Sequence, residues 1–280
     1  MTTVTPKVGQ TDHSSSRQNS NASRPLFFGA ASSEWVKLRG TRATYWTLLV
    51  AAVAMVGLGA LFASRYTHFS TSQKASISPA SYSLSGFFLA QLAIGVLGVL
   101  VMTSEYSTGT IRPTLIALPQ RLILLAAKAF TLLTVTGPIV IASSFAAFFA
   151  GQAILPAGVR VHLGEGGVLR SVFGAALYLM LLGLGSLALG CLIRRTAGAI
   201  AAVVGVVFVL PGLIGALPTS WQNVTRFLPS SAGQAIIGHT RFLSSANHTV
   251  LTPWVGLGIF CAYIAVALFA AGVNLTRRDA

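Results

Sequence analysis

The stretch TYWTLLVAAVAMVGLGALFA, residues 44–63, carries no charged side chain over twenty consecutive positions. A helix needs about 20 mostly apolar residues to cross the hydrocarbon core of a bilayer. A lone strand would leave its backbone N–H and C=O groups unpaired in lipid, whereas a helix pairs them internally. The stretch therefore predicts a membrane-spanning helix.

Five further runs of similar length and polarity occur along the 280-residue chain. Hydrophobic residues make up 54% of the sequence and charged residues only 9%, against about 25% charged residues in soluble domains. Six long apolar runs disfavour the alternative, a soluble protein with buried helices. The sequence therefore predicts an all-α integral membrane protein with six transmembrane helices, at about 44–64, 82–103, 122–150, 171–193, 197–217 and 254–274.

The basic residues are distributed unevenly between the two sides of the membrane. The net charge is +14, which in a soluble protein would suggest nucleic acid as a partner. In a membrane protein the placement of Lys and Arg matters more, because loops rich in them stay in the cytoplasm. Six spans put both termini on one side, and that side holds thirteen of the nineteen Lys and Arg residues. We therefore expect both termini in the cytoplasm and no nucleic-acid partner.

The N-terminal region has two parts. Residues 1–25 are polar and rich in Ser, Thr and Asn, so we expect a disordered cytoplasmic tail, followed by a six-helix domain over 26–280. The next stretch, PLFFGAASSEWVKLRG, has an apolar face and a polar face with helical spacing. It predicts an amphipathic helix on the cytoplasmic membrane surface, with Glu34 and Lys37 on the polar face, and a plain polar linker is the alternative.

The spans contain few groups that could perform chemistry or drive transport. No Asp, Glu or Arg lies in the middle of a span, and Lys128 is near a span end, where its long side chain can snorkel to the surface. Polar residues within the spans line a pathway or bond between helices, and the second interpretation is favoured. The candidate pathway residues are Gln91, Thr134, Ser143 and Tyr178.

No pattern in the sequence indicates an enzyme. The dipeptide Gly-Lys does not occur, so the sequence has no phosphate-binding loop of the GxxxxGK[ST] type. The five histidines are dispersed without the spacing of a zinc site. We expect no catalytic residue, no metal and no cofactor in this chain.

The segment SEYSTGTIRPTLIALPQR, residues 104–121, is polar and lies between two spans. Thr110 can cap a helix that begins near Ile111, Gly109 can provide the hinge before it, and Pro119 would end it. The apolar residues of this short helix are unusual in a loop exposed to water. We therefore expect it to dock against the membrane surface or against a partner protein.

The same segment resembles the cytoplasmic segment of ABC-2 type transporter permeases, in which an acidic residue, Gly-Thr, a short apolar helix, a Pro and basic residues follow one another. Here these positions are Glu105, Gly109, Thr110, Ile111, Leu115, Pro119, Arg121 and Lys128. EWVKLRGTRATYW also looks like the interfacial helix of that family, and RFLPSSAGQAI like its outer segment before the sixth span. The resemblance covers about residues 26–278.

The resemblance implies a transmembrane dimer of two permease chains, each docking a separate ATP-binding subunit through the short helix, called the coupling helix. Its implied docking residues are Glu105, Gly109, Thr110, Arg112, Leu115 and Arg121. Of these, Gly109, Thr110 and Arg112 are the expected contacts, and Glu105 and Arg121 are alternatively expected to hold the helix by local ion pairs. Pro113 departs from the family pattern and leaves the docking register open.

The expected function is that of the membrane subunit of a bacterial exporter in the cell membrane, which expels an amphiphilic substrate using ATP hydrolysed by its partner. A non-transporting scaffold or sensor that recruits a cytoplasmic partner is the alternative, and an ion-coupled carrier is disfavoured because the spans lack interior carboxylates. The outer segment 218–253 is expected to form either a lid or short helices that dip into the bilayer.

Overall fold

The protein is described here from a computed structural model. The structure describes residues 15–66, 78–117, 120–215, 224–238 and 251–277. All regular secondary structure within these ranges is helical. This confirms the predicted all-α fold class.

Eleven α-helices lie within the described ranges. They are α1 (Ser15–Gly40), α2 (Arg42–Arg65), α3 (Pro79–Ser83), α4 (Phe87–Ser107), α5 (Ile111–Ala117), α6 (Arg121–Ile154), α7 (Val168–Ile193), α8 (Thr196–Val204), α9 (Leu210–Gly215), α10 (Pro229–Gln234) and α11 (Pro253–Arg277). A π-helical turn, Gly205–Val209, joins α8 to α9, and 3₁₀ turns lie at Ala157–Val159 and Thr225–Phe227.

Six helices in the described part of the chain are long and apolar enough to span a membrane. They are α2, α4, α6, α7, the continuous stretch Thr196–Ile214 and α11. Each coincides with a predicted span to within a few residues. The largest difference is at the second span, which begins at Phe87 rather than near residue 82, because Pro79 starts the separate short helix α3.

The helices α4 and α7 form the centre of the bundle. In an apolar stretch of 18 residues in each helix, 61% of the positions are buried, against 28% in the corresponding stretches of α2 and α11. The two helices can approach closely because Gly98 has no side chain. A Cβ atom at this position would overlap the backbone carbonyl of Gly183. The other spans pack around this pair, and their outer faces are left for lipid or for other chains.

The two ends of the bundle differ. The α1 end is the one at which α1, the beginning of α2 and the end of α4 lie. At the opposite end, α3 and α10 return into the bundle, with Gly59 against the backbone of Ser83 and Gly233 against the ring of Tyr178. In the outer segment 218–253, residues 228–237 therefore dip between the helices, whereas Val224 and Phe227 are exposed. Residues 216–223 and 239–250 lie outside the described part.

The helix α1 differs from its prediction in two ways. It begins at Ser15, earlier than the expected start near residue 26, whereas residues 1–14 of the predicted tail lie outside the described part. The position of Glu34 was also predicted incorrectly, because this residue of the expected polar face is only 2% exposed. The reason is that α1 packs along α6, with Ala31 against Ala127, and this places Glu34 in the interface.

Candidate functional site

A short helix follows α4 at the position where the sequence predicts one. Gly109 has a φ of +72°, a left-handed conformation that glycine adopts without strain, and this turns the chain out of α4. The hydroxyl of Thr110 lies 2.9 Å from that of Thr108, and the Thr110 carbonyl accepts the N–H of Thr114 at 3.2 Å. The helix α5 therefore starts at Ile111, as predicted.

The helix α5 has one anchored position and one strongly exposed position. Ile111 is buried in the main core, whereas Ile116 is 83% exposed and both Gly109 and Thr110 are exposed. The side chains of Arg112 and Leu115 lie outside the described part of the structure, although their backbone is helical. The described surface thus presents an apolar side chain and a polar turn side by side.

Four charged side chains meet at the end of α4, about one helical turn before this segment in the chain. The ammonium of Lys128 lies 2.7 Å from Oε2 of Glu34 and 2.8 Å from Oε1 of Glu105. The ammonium of Lys37 lies 2.7 Å from Oε1 of Glu34 and 2.7 Å from Oε1 of Glu105. We call these four residues the ion cluster. It connects three helices, α1, α4 and α6.

The ion cluster is electrically balanced and largely removed from solvent. Lys128 is 1% exposed, Glu34 2% and Glu105 6%, whereas the side chain of Lys37 is 47% exposed. Two carboxylates and two ammonium groups offset each other, which is what burial of such groups requires. The prediction that Lys128 snorkels to the surface is therefore wrong, because its ammonium is buried with two carboxylate partners.

The charge of Lys37 is stabilised by its neighbours. Burial by itself disfavours the ammonium form, but hydrogen bonds and charge attraction from Glu105 and Glu34 outweigh that effect and raise the pKa of Lys37 above its usual value. Lys37 therefore stays protonated throughout the physiological range. One atom of the cluster, Oε2 of Glu105, has no hydrogen-bond partner among the described residues.

The two residues expected to hold α5 by local ion pairs make different contacts. Glu105 is buried and pairs with Lys37 and Lys128, so it holds the end of α4 and is not part of an exposed docking surface. Arg121 donates a hydrogen bond of 2.7 Å from Nη1 to the carbonyl of Leu275. It thereby joins the beginning of α6 to the end of α11.

The candidate pathway residues are mostly engaged in packing. The hydroxyl of Tyr178 donates to Oε1 of Gln91 at 2.8 Å, and both side chains are at most 1% exposed. Ser143 and Thr134 donate to the backbone carbonyls of Ile139 and Phe130 of their own helix. Thr134 alone of the four is exposed. Gln91 and Tyr178 therefore bond α4 to α7 within the bundle, as the packing interpretation expects.

Sequence analysis missed the roles of Glu34 and Lys37. It placed both on the polar face of an interfacial helix, because charged residues usually lie towards water. The scarcity of acidic residues could have indicated that Glu34 is an ion-pair partner, since the chain has five Asp and Glu residues against nineteen Lys and Arg residues. In the described part of the chain, no group of three or more His, Cys, Asp or Glu residues could hold a metal ion.

Six spanning helices with a short exposed helix and a buried ion cluster at one end define a multi-pass membrane protein. Residues 31–212, more than half of the chain, match the family model described as ABC-2 family transporter protein. The chain belongs to this family and is the membrane component of a transport system. No curated protein matches the chain.

Proposed function

We propose that the chain is the permease subunit of an ATP-driven exporter in a bacterial cell membrane, energised by a separate ATP-binding subunit and working as a dimer of two permease chains. Members of the family are transport components that are generally not catalytic themselves. The substrate that fits the apolar spans is an amphiphilic compound. Both termini and the α1 end face the cytoplasm in this proposal, because the basic residues concentrate there.

The observation that carries the proposal is the ion cluster at the end of α4, about one helical turn before the segment from Gly109 to Ile116. A force applied to α5 reaches α4 through the turn at Gly109, and the core through Ile111. At the end of α4, the ion pairs of Glu105 with Lys37 and Lys128 transmit this force to α1 and α6. Docking of an ATPase on α5 would therefore move three helices together.

Ion pairs suit such a connection because breaking one is costly when it is buried. Removing one partner of a buried pair leaves an uncompensated charge and costs about 3–5 kcal/mol. The two pairs of Lys128 are buried on both sides, so α1, α4 and α6 stay connected at this point while the rest of the bundle moves. We assign the docking contacts to Gly109, Thr110 and Ile116, with Arg112 and Leu115 as further proposed contacts.

The test is co-purification of the tagged chain from gently solubilised native membranes, with identification of its partners by mass spectrometry. We expect a P-loop ATPase to be recovered with the wild type and lost with I116E, since a buried carboxylate would oppose docking. The matched control is V224E, which places the same charge at an exposed apolar position of the opposite end. Recovery of the wild type without any ATPase would contradict the proposal and favour a scaffold or sensor.

A further inference from the structure

A cleft of about 490 Å³ lies where α1, α2 and α6 meet at the α1 end. Its walls include Trp35 of α1, Leu48 and Ala52 of α2, and Val135 and Ile139 of α6. The cleft exists because α1 packs along α6 and makes few contacts with α2. Its volume falls within the roughly 300–1,000 Å³ that is usual for ligand sites.

The shape of the cleft suits a thin, flexible chain. Its α2 wall runs from Thr44 to Ala52, which at about 1.5 Å per residue is about 12 Å along the helix. An acyl chain is much thinner than a helix with its side chains, which is about 10–12 Å across, and it can lie along this wall.

The cleft also has a basic mouth. Arg39 lines it and lies over the ring of Trp35, at 5.2 Å from the ring centroid. Arg42 follows in the first turn of α2 and is exposed. Neither arginine forms an ion pair with a carboxylate of the described residues, and the nearest acidic residue in sequence, Glu34, is engaged in the ion cluster.

We infer that the cleft binds an anionic phospholipid from the leaflet at the α1 end. One acyl chain lies between α2 and α6, and the phosphate group lies at Arg39 and Arg42. The exposed aromatic residues Tyr45 and Trp46 are of the kind that lies at headgroup level in membrane proteins. The inference needs only that the chain lies in a membrane, and it does not depend on the proposed export function.

A bound lipid would complete the packing of α1. Among the described residues, α1 makes few contacts with α2, whereas on its α6 side it has the ion cluster and Ala31. Lipid in the cleft would hold α1 against α2 as well. The negative headgroup would then help to hold in place α1, the helix that carries Glu34 and Lys37.

The experiment is native mass spectrometry of the purified full-length chain, with its co-purifying subunits, after addition of phosphatidylglycerol or phosphatidylcholine. We expect tighter binding of phosphatidylglycerol by the wild type. Replacing Arg39 and Arg42 with Gln should weaken this binding by about fivefold for each arginine and remove the preference. The change A52F should fill the cleft and reduce binding of both lipids.

Two matched variants serve as controls. R65Q removes an exposed arginine at the far end of α2, and V53F enlarges the neighbouring exposed side chain outside the cleft. Both should bind phosphatidylglycerol like the wild type. Equal binding of the two lipids by the wild type, or an equal loss with R65Q, would overturn the inference. Cross-linked dimers of an A52C variant in native membranes, absent from the wild type, would place a second copy in the cleft and also overturn it.

Discussion

Lys128 and Glu34 are 94 positions apart in the sequence, yet the Lys128 ammonium lies 2.7 Å from the Glu34 carboxylate, and both side chains are almost completely buried. This pair attaches the amphipathic helix α1 to the third span, α6. With Lys37 and Glu105 it forms the ion cluster at the end of α4, shortly before the short helix α5.

The change K128M should destabilise the protein strongly. It leaves Glu34 and Glu105 with a single ammonium partner, that of the half-exposed Lys37, and an uncompensated buried charge costs about 3–5 kcal/mol. Thermal unfolding of the detergent-solubilised chain, followed by size-exclusion chromatography, measures the effect. The double variant E34Q/K128M should recover part of the loss, because the cluster is again balanced. An unchanged unfolding temperature for K128M would show that the cluster does not stabilise the fold.

The change K37M should have a much smaller effect on stability than K128M. The side chain of Lys37 is 47% exposed, so water can approach Glu34 and Glu105 when the lysine is removed and can partly replace its ammonium, and the loss should fall below the about 3–5 kcal/mol expected for K128M. The same unfolding assay compares the two lysine variants directly. Equal losses for K37M and K128M would mean that burial does not set the strength of these pairs.

The stabilising effect of Lys37 should not change between about pH 7 and pH 9. The pKa of Lys37 is raised above its usual value of about 10.4, so its contribution is fully present below that value and is lost only as the pH rises through the higher folded-state pKa. Unfolding temperatures of the wild type and K37M, measured across this pH range, should differ by a constant amount. A difference that disappears by pH 9 would contradict the assignment.

The change G109A should weaken the recovery of the partner ATPase. A φ of +72° costs a non-glycine residue about 1–2 kcal/mol, so alanine would reorient the start of α5. The control is G40A, since Gly40 does not have a left-handed backbone and a Cβ there meets no atom within 4 Å. Both variants are compared with the wild type by co-purification. Equal ATPase recovery by G109A and the wild type would show that the turn at Gly109 does not contribute to docking.

The change Y178F should reduce stability modestly and leave transport largely unaffected. It removes the hydrogen bond to Gln91, and bonds between spanning helices contribute about 0.6 kcal/mol on average. Thermal unfolding and efflux from membrane vesicles separate the two effects. Altered efflux with unchanged stability would instead assign Tyr178 and Gln91 to the transport pathway.

The sequence was sufficient to predict the six spans and the position of α5. Uninterrupted apolar runs determine where helices cross the membrane, and Gly109 with Thr110 marks the turn into α5. The spans and this turn depend on residues that are close together in the sequence, so the sequence alone is enough to predict them. The family resemblance rests on the same local patterns and is confirmed by the match over residues 31–212.

The ion cluster could not be predicted because two of its four contacts, Lys37 to Glu105 and Lys128 to Glu34, join residues 68 and 94 positions apart. Helical periodicity assigned Glu34 to a polar face and Lys128 to a span end, and each assignment was reasonable for an isolated helix. What the pattern lacks is the packing of α1 along α6, which places the two side chains opposite each other. The same packing leaves the cleft beside α2, which also has no signature in the sequence.

The central claim is that an ATP-binding subunit docks on the turn and helix that follow α4. It is tested most directly by placing a photoreactive residue at Thr110 and irradiating native membranes. The account predicts a covalent cross-link from position 110 to a P-loop ATPase, and none from the same residue at Val224 of the opposite end. A cross-link from position 224, or none from position 110 although the ATPase co-purifies, would contradict it.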